Sequence, residues 1–313
     1  MGEVNRHGLD RTIPCEVARQ VRQRCGFGCV CCGDAVIQYD HITPPYADAL
    51  RHDPAGIVLL CGGCHDRKTR GQLSVATILR AAANPKCKQT GFSWGAFDLG
   101  STDSPVVWLG DVVLWQCDTL LSVNGEPILA IHEPEAPGGP FRLTANFLDR
   151  DGNPVLSIVD NEWQTLSANW DVQVEGRRIT VRRARGDIVL ILRTMPPEAL
   201  SIERMSMQHC GVGIECREGQ PTRFLMPDGR EYSAGGCQVV GAKIGVELSP
   251  DGVSFGCGGG WVQMRSFGYL PPVNDPTFNS TRFVRSNLKR TGRNDSCPCG
   301  SRLKFKRCHG LLR

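Results

Sequence analysis

Two Cys-x-x-Cys pairs, Cys29 with Cys32 and Cys61 with Cys64, constrain this chain more than any other feature. Four thiolates at that spacing can surround one zinc ion tetrahedrally, and the metal then clips together two turns that lie far apart in sequence. One such pair is weak evidence; two, separated by 28 residues, are strong evidence for a metal site. Cys31 could replace Cys32 in the first pair, but the spacing of the second pair favours Cys32. The chain holds 16 cysteines in 313 residues, and its first ten, MGEVNRHGLD, lack the apolar core of a secretory signal. Metal binding is therefore a better reading than disulfides, and a cytoplasmic location is expected. No run of 18 apolar residues occurs, so no membrane span is expected.

Around these pairs the hydrophobic pattern predicts a helix over 14–24, with Val17 and Val21 on one face, and strands over 35–39 and 57–60. Ser74 is placed to cap a helix over 75–83 that Asn84-Pro85 ends. From about 95 to 270 the pattern becomes strands and turns. Asn124-Gly125 between two apolar runs is a strong hairpin signal, and a second hairpin is expected over 141–159. A sandwich or barrel is the default for this block, with a solenoid as an alternative for 200–260. Trp163 and Trp170 read as core, and His209-Cys210 as incidental. The glycines around Cys257 lack the Lys-Ser/Thr of a phosphate-binding loop.

Between the cysteine pairs lies Asp40-His41, and His65 follows the last cysteine directly. With the stretches CGFGCVCCG, YDHITP and IVLLCGGCHDRKTRG, residues 14–72 resemble the HNH endonuclease family. The resemblance implies a small ββα-metal domain in which His41 is the general base. Asp40 and His65 would hold a catalytic divalent cation, Mg²⁺ in expectation, and Lys68 and Arg70 would contact backbone phosphates. The chemistry suits these residue types: imidazole accepts a proton near neutral pH, and a hard cation stabilises charge on phosphate oxygens. One departure stands out. The family places Asn where this chain has Gly56, and that Asn ties the loop near the catalytic histidine. His52 and Asp53 lie in the same loop and are candidates to compensate.

At the other end, GRNDSCPCGSRLKFKRCHG (292–310) resembles the SEC-C motif named for the tail of the bacterial secretion ATPase SecA. The resemblance implies zinc bound by Cys297, Cys299, Cys308 and His309, a docking role toward protein or nucleic acid, and a bacterial origin. So short a segment cannot bury a core, so a metal must supply its folding energy. Charge is divided unevenly. Residues 1–90 carry 12 Lys+Arg against 8 Asp+Glu, 91–276 carry 14 against 23, and 277–313 carry 10 against 1. Basic ends around an acidic middle favour nucleic acid meeting the ends.

The expected architecture is α+β. A zinc-stapled ββα-metal domain (1–90) precedes a mainly β domain (95–270), a basic linker (271–296) and a zinc-binding tail (297–313). The expected function is metal-dependent hydrolysis of phosphodiester bonds in nucleic acid, with DNA as substrate and the acidic β domain as a regulatory or partner-binding element. The alternative is a catalytically degenerate, zinc-dependent nucleic-acid-binding or adaptor protein.

Overall fold

The computed structural model describes residues 4–99 and 103–270. Helix α1 (Cys15–Cys25) follows Pro14 and stops at Gly26, whose φ of 74° is the left-handed C-cap that glycine tolerates. It buries Ala18, Val21, Arg22 and Cys25, spaced three and four apart along one face. Strands β1 (Ile37–His41) and β2 (Ile57–Cys61) pair antiparallel, with Ile37 opposite Cys61 and His41 opposite Ile57. All five residues of β2 are buried, because α1 and the following helix α2 (Gly62–Thr69) both pack on it. That explains the unbroken apolar run IVLLC, where a half-exposed strand would alternate. Helix α3 (Val75–Ala83) starts at Ser74, whose hydroxyl accepts the Thr77 N–H at 3.1 Å. A short helix α4 (Lys86–Thr90) follows. Val21, Cys25, Val30, Leu59, Leu60 and Ile78 form a small core among these elements.

Strand β3 (Phe92–Ala96) then leaves this core and pairs with Glu162–Leu166 at the edge of an eight-stranded sheet. A second sheet has twelve strands. Leu120, Leu129 and Ile158 from the first sheet share one large core with Leu114, Leu192 and Ile214 from the second. The two expected hairpins are present, as Thr119–Val123 with Glu126–His132 and Arg142–Leu148 with Pro154–Val159. Three long-range pairings are parallel: Val106–Leu109 with Ala199–His209, Val112–Trp115 with Cys237–Val240, and Thr119–Val123 with Ile244–Ser249.

This architecture corrects the expected fold class. The chain is mainly β, with 22 strands among the described residues, and no separate N-terminal ββα-metal domain stands apart from the rest. Met1–Val273 forms one compact unit. The physical reason lies in how little apolar surface the N-terminal elements can bury alone. Phe27 and Ala35 belong to the large core, β3 is a strand of the large sheet, and α1 is bound to the β-rich part through a buried ion pair. That pair joins Arg22 to Asp171 through two contacts of 2.8 Å. Arg182 adds a third at 3.1 Å, and Arg22 also donates to the Tyr39 hydroxyl at 2.8 Å. The basic linker and the tail, with Cys297, Cys299, Cys308 and His309, lie outside the described residues.

Candidate functional site

The four cysteines singled out by spacing come together. The sulfur atoms of Cys29, Cys32, Cys61 and Cys64 all lie within 4.8 Å of one another. Cys32 is 3.5 Å from Cys61 and 4.0 Å from Cys64. Thiolates about 2.3 Å from a shared zinc sit about 3.8 Å apart in a tetrahedron, so the donor set fits that ion. Cys61 is also the N-cap of α2, its sulfur accepting the Cys64 N–H at 3.4 Å. Hydrogen bonds from the Cys31 and Cys32 thiols hold Cys29 well below the usual thiol range, and Cys31 and Cys32 are pushed up in consequence. Burial, followed by the charge of Cys29, pushes Cys64 up to about 12. A dication at the centre of the cluster would favour the thiolate form of its ligands.

Asp40 and His41 end β1, and His65 stands on the first turns of α2. All three line one cleft of about 830 Å³. Asp40 is buried, and its Oδ2 lies 3.9 Å from His65 Nε2, a separation at which an oxygen and a nitrogen donor can share one cation. Lys68 approaches from α2 and donates to both Asp40 oxygens, at 2.7 and 2.6 Å. Lys68 is thus engaged with the carboxylate, and Arg70 pairs with Asp66 at 2.8 Å; neither lines the cleft.

His41 is held by a relay. His52 Nε2 lies 2.9 Å from the Asp10 carbonyl oxygen, so it must carry the proton. His52 Nδ1 and His41 Nε2, 3.1 Å apart, are joined by a hydrogen bond. Burial and the neighbouring His52 push the His41 pKa below the usual histidine range, and Asp40 only partly offsets them. Tyr46 flanks the ring at 5.5 Å between centroids. Gly56 has its own reason: a Cβ there would lie 2.1 Å from the Thr43 carbonyl oxygen. Its carbonyl accepts the N–H groups of Ile42 and Thr43, at 2.8 and 3.2 Å. The backbone of Gly56 thus fastens the loop just after His41.

The opposite wall comes from the β-rich part, through Trp170, Asp171, Gln173, Glu175, Arg182 and Arg185. Arg11 and Arg19 complete the cationic lining from the N-terminal side. Arg22 and Arg182 are spent on Asp171, whereas Arg185 is exposed at the rim. Arg19 lies over the half-buried Trp170 ring at 4.8 Å. Trp163 is core, as expected, but Trp170 is a cleft residue. No local signal in the sequence marks Arg185 or Trp170, because both reach the cleft only through the long-range docking of α1.

His209 and Cys210 are joined by Glu126, with the three ligand atoms within 4.8 Å on the surface. His209 Nε2 lies 2.9 Å from a Glu126 carboxylate oxygen, a hydrogen bond that accounts for the grouping.

The SEC-C motif matches residues 293–311. The protein translocase subunit SecA of Nitrosomonas europaea is 56% identical over 43 residues, which is 13% of this chain and 5% of that protein. SecA 1 of Bordetella avium is 62% identical over 29 residues, covering 9% and 3%. The chain thus spans only a few per cent of the relatives it matches. No solved structure matches it. No helix among the described residues is long and apolar enough to cross a membrane.

Proposed function

We propose that this chain is a metal-dependent hydrolase of phosphodiester bonds in nucleic acid, with DNA the favoured substrate. The observation that carries the reading is the convergence of Asp40, His41 and His65 in one cleft whose rim is cationic. It agrees with the HNH resemblance of 14–72. Asp40 and His65 would hold the cation, which when bound stabilises negative charge on the phosphate and on the leaving oxygen. His41, which lines the cleft, takes the proton of the attacking water. The contact with His52, itself anchored on the Asp10 carbonyl, orients the His41 ring. Arg185 is placed to hold a neighbouring phosphate, Arg19, paired with Glu16, adds positive charge to the lining, and Trp170 offers a ring on which a base can stack. Cys29, Cys32, Cys61 and Cys64 would hold a structural zinc, which would fix α2, and with it His65, against β2. The basic tail supplies a second docking element for nucleic acid or protein.

A second reading is a binding protein without catalysis. It is favoured by Lys68, whose ammonium already satisfies both Asp40 oxygens. Incubation of supercoiled plasmid with the zinc-loaded chain and Mg²⁺ or Mn²⁺ separates the two. Nicking that requires the divalent metal and vanishes in His41→Ala supports the hydrolase. Salt-sensitive binding without any cleavage supports the second reading.

A further inference from the structure

Outside the lining of this cleft, the twelve-stranded sheet carries an arrangement that its own contacts do not explain. Arg204 on strand Ala199–His209 stands directly opposite Arg217 on strand Val212–Arg217. Like charges facing each other across two strands repel. Nearby arginines are neutralised. Arg193 and Arg178 share Glu203, and Arg223 spans Glu215 and Glu231. Among the described residues, neither Arg204 nor Arg217 has an ion-pair or hydrogen-bond partner for its side chain. Burial, and then the charges of Arg217 and Arg150, hold the Arg204 guanidinium below its ordinary pKa, and Asp187 offsets only part of this.

These groups surround a cavity of about 200 Å³, lined by Arg150, Arg204, Arg217, Arg223, Ser206 and Glu215 among others. Arg150 enters from the turn after Arg142–Leu148, in the other sheet, and is paired with Asp187 at 3.2 Å. Its Nε donates to Ser206 Oγ at 2.7 Å, so the hydroxyl proton of this buried serine remains available to an acceptor in the cavity. Four guanidinium groups and one hydroxyl donor face Glu215 as the only lining carboxylate. Guanidinium forks match the oxygens of a phosphoryl group. The volume is below the roughly 300 Å³ at which pockets for whole small molecules begin, so the cavity suits a phosphate group and not the body of its carrier.

We propose that this cavity is an anion site for a phosphate group, with the facing pair Arg204 and Arg217 as its core. The inference stands apart from the hydrolytic cleft and does not depend on it. It predicts that the site is built at the expense of stability: Arg204→Gln and Arg217→Gln each raise the melting temperature in phosphate-free buffer, by about 1–2 °C. Inorganic phosphate, titrated at constant ionic strength, raises the melting temperature of the unsubstituted chain. In both variants the apparent affinity falls by about 10-fold or more. Arg150→Gln, in a turn of the other sheet, shows the same loss of phosphate response and checks the result with Arg204 and Arg217 both in place. Oligonucleotides with a 5′-phosphate or a 5′-hydroxyl, bound in the His41→Ala background, identify the source. Tighter binding of the phosphorylated strand that depends on Arg204 assigns the site to a nucleic-acid end. Equal binding of the two, with the phosphate response intact, assigns it to a small phosphate compound. A phosphate response equal in the unsubstituted chain and all three variants, or Arg204→Gln and Arg217→Gln variants less stable without phosphate, would overturn the proposal.

Discussion

At the scale of single residues, Asp40 decides how the site behaves. Its carboxylate is buried and already answered by Lys68, so a divalent cation must compete with an ammonium for the same oxygens. Lys68→Met removes that competitor. The variant is expected to bind Mn²⁺ about 10-fold more tightly in calorimetric titration, since a charge-assisted hydrogen bond contributes about 1.5–3 kcal/mol. Unchanged affinity would show that the ammonium and the ion do not share Asp40. Gly56 makes a second test. Restoring the asparagine of the resembled family, Gly56→Asn, would drive a Cβ into the Thr43 carbonyl. A loss of about 1–3 kcal/mol in denaturant unfolding is expected, by analogy with overpacking. The cysteines, Asp40, His41 and His65 were legible in the sequence because their spacing is local and their chemistry narrow. The role of His52 was visible only as proximity in a loop; its two hydrogen bonds needed the fold. Arg185 and Trp170 were not legible, because they stand more than a hundred residues from the motif they complete.

Elements fix where those residues stand. Helix α1 is held against strand Asp171–Glu175 by a guanidinium and a carboxylate that are both buried. Removing one partner leaves the other charge uncompensated. Asp171→Ala is therefore expected to cost about 3–5 kcal/mol and to loosen the cleft wall. Hydrogen exchange of the α1 amides would show the loosening as lost protection. The turn Asp149–Asn153 gives a pH dependence. Burial alone would raise the Asp149 pKa, but the N–H groups of Asn153 and Asp151, at 2.9 and 2.8 Å, outweigh it and hold the carboxyl below its ordinary value. A depressed folded-state pKa contributes stability above the unfolded value of about 3.9 and loses it as pH falls through the folded one. Asp149→Asn should flatten that acid limb in urea midpoints measured from pH 6 down to 3. The hairpin at Asn124-Gly125 and helix α3 were legible because turn chemistry and caps act within a few residues. The stretch 239–248, which reads as one apolar strand, is two strands in different sheets, broken at Gly241 with φ 70°. Parallel pairing across a hundred residues leaves no periodic trace, so the sheet topology was not legible.

For the whole molecule, the expectation of an independent N-terminal domain failed on size. The segment has the metal ligands but too little apolar surface, and the β-rich part completes both its packing and its cleft. The acidic charge of the middle of the chain is an average over the whole segment. The average conceals Arg182 and Arg185, which the fold turns toward the site. The four-cysteine cluster can hold a metal that would be a second global support. Metal analysis of the full chain should find the four-cysteine site filled, and Cys61→Ser should lower the zinc content by one ion per chain. Chelation should then melt the small core of Val21, Leu59 and Ile78 before the sheets, because the metal joins its two turns. The most direct test of the central claim is hydrolysis of bis(4-nitrophenyl) phosphate, a simple diester that needs no recognition of nucleic-acid sequence. The account predicts turnover by the zinc-loaded chain that saturates with added Mn²⁺ and falls by about 10²-fold or more in His41→Ala. No turnover at any Mn²⁺ concentration, or equal rates with and without His41, would contradict it.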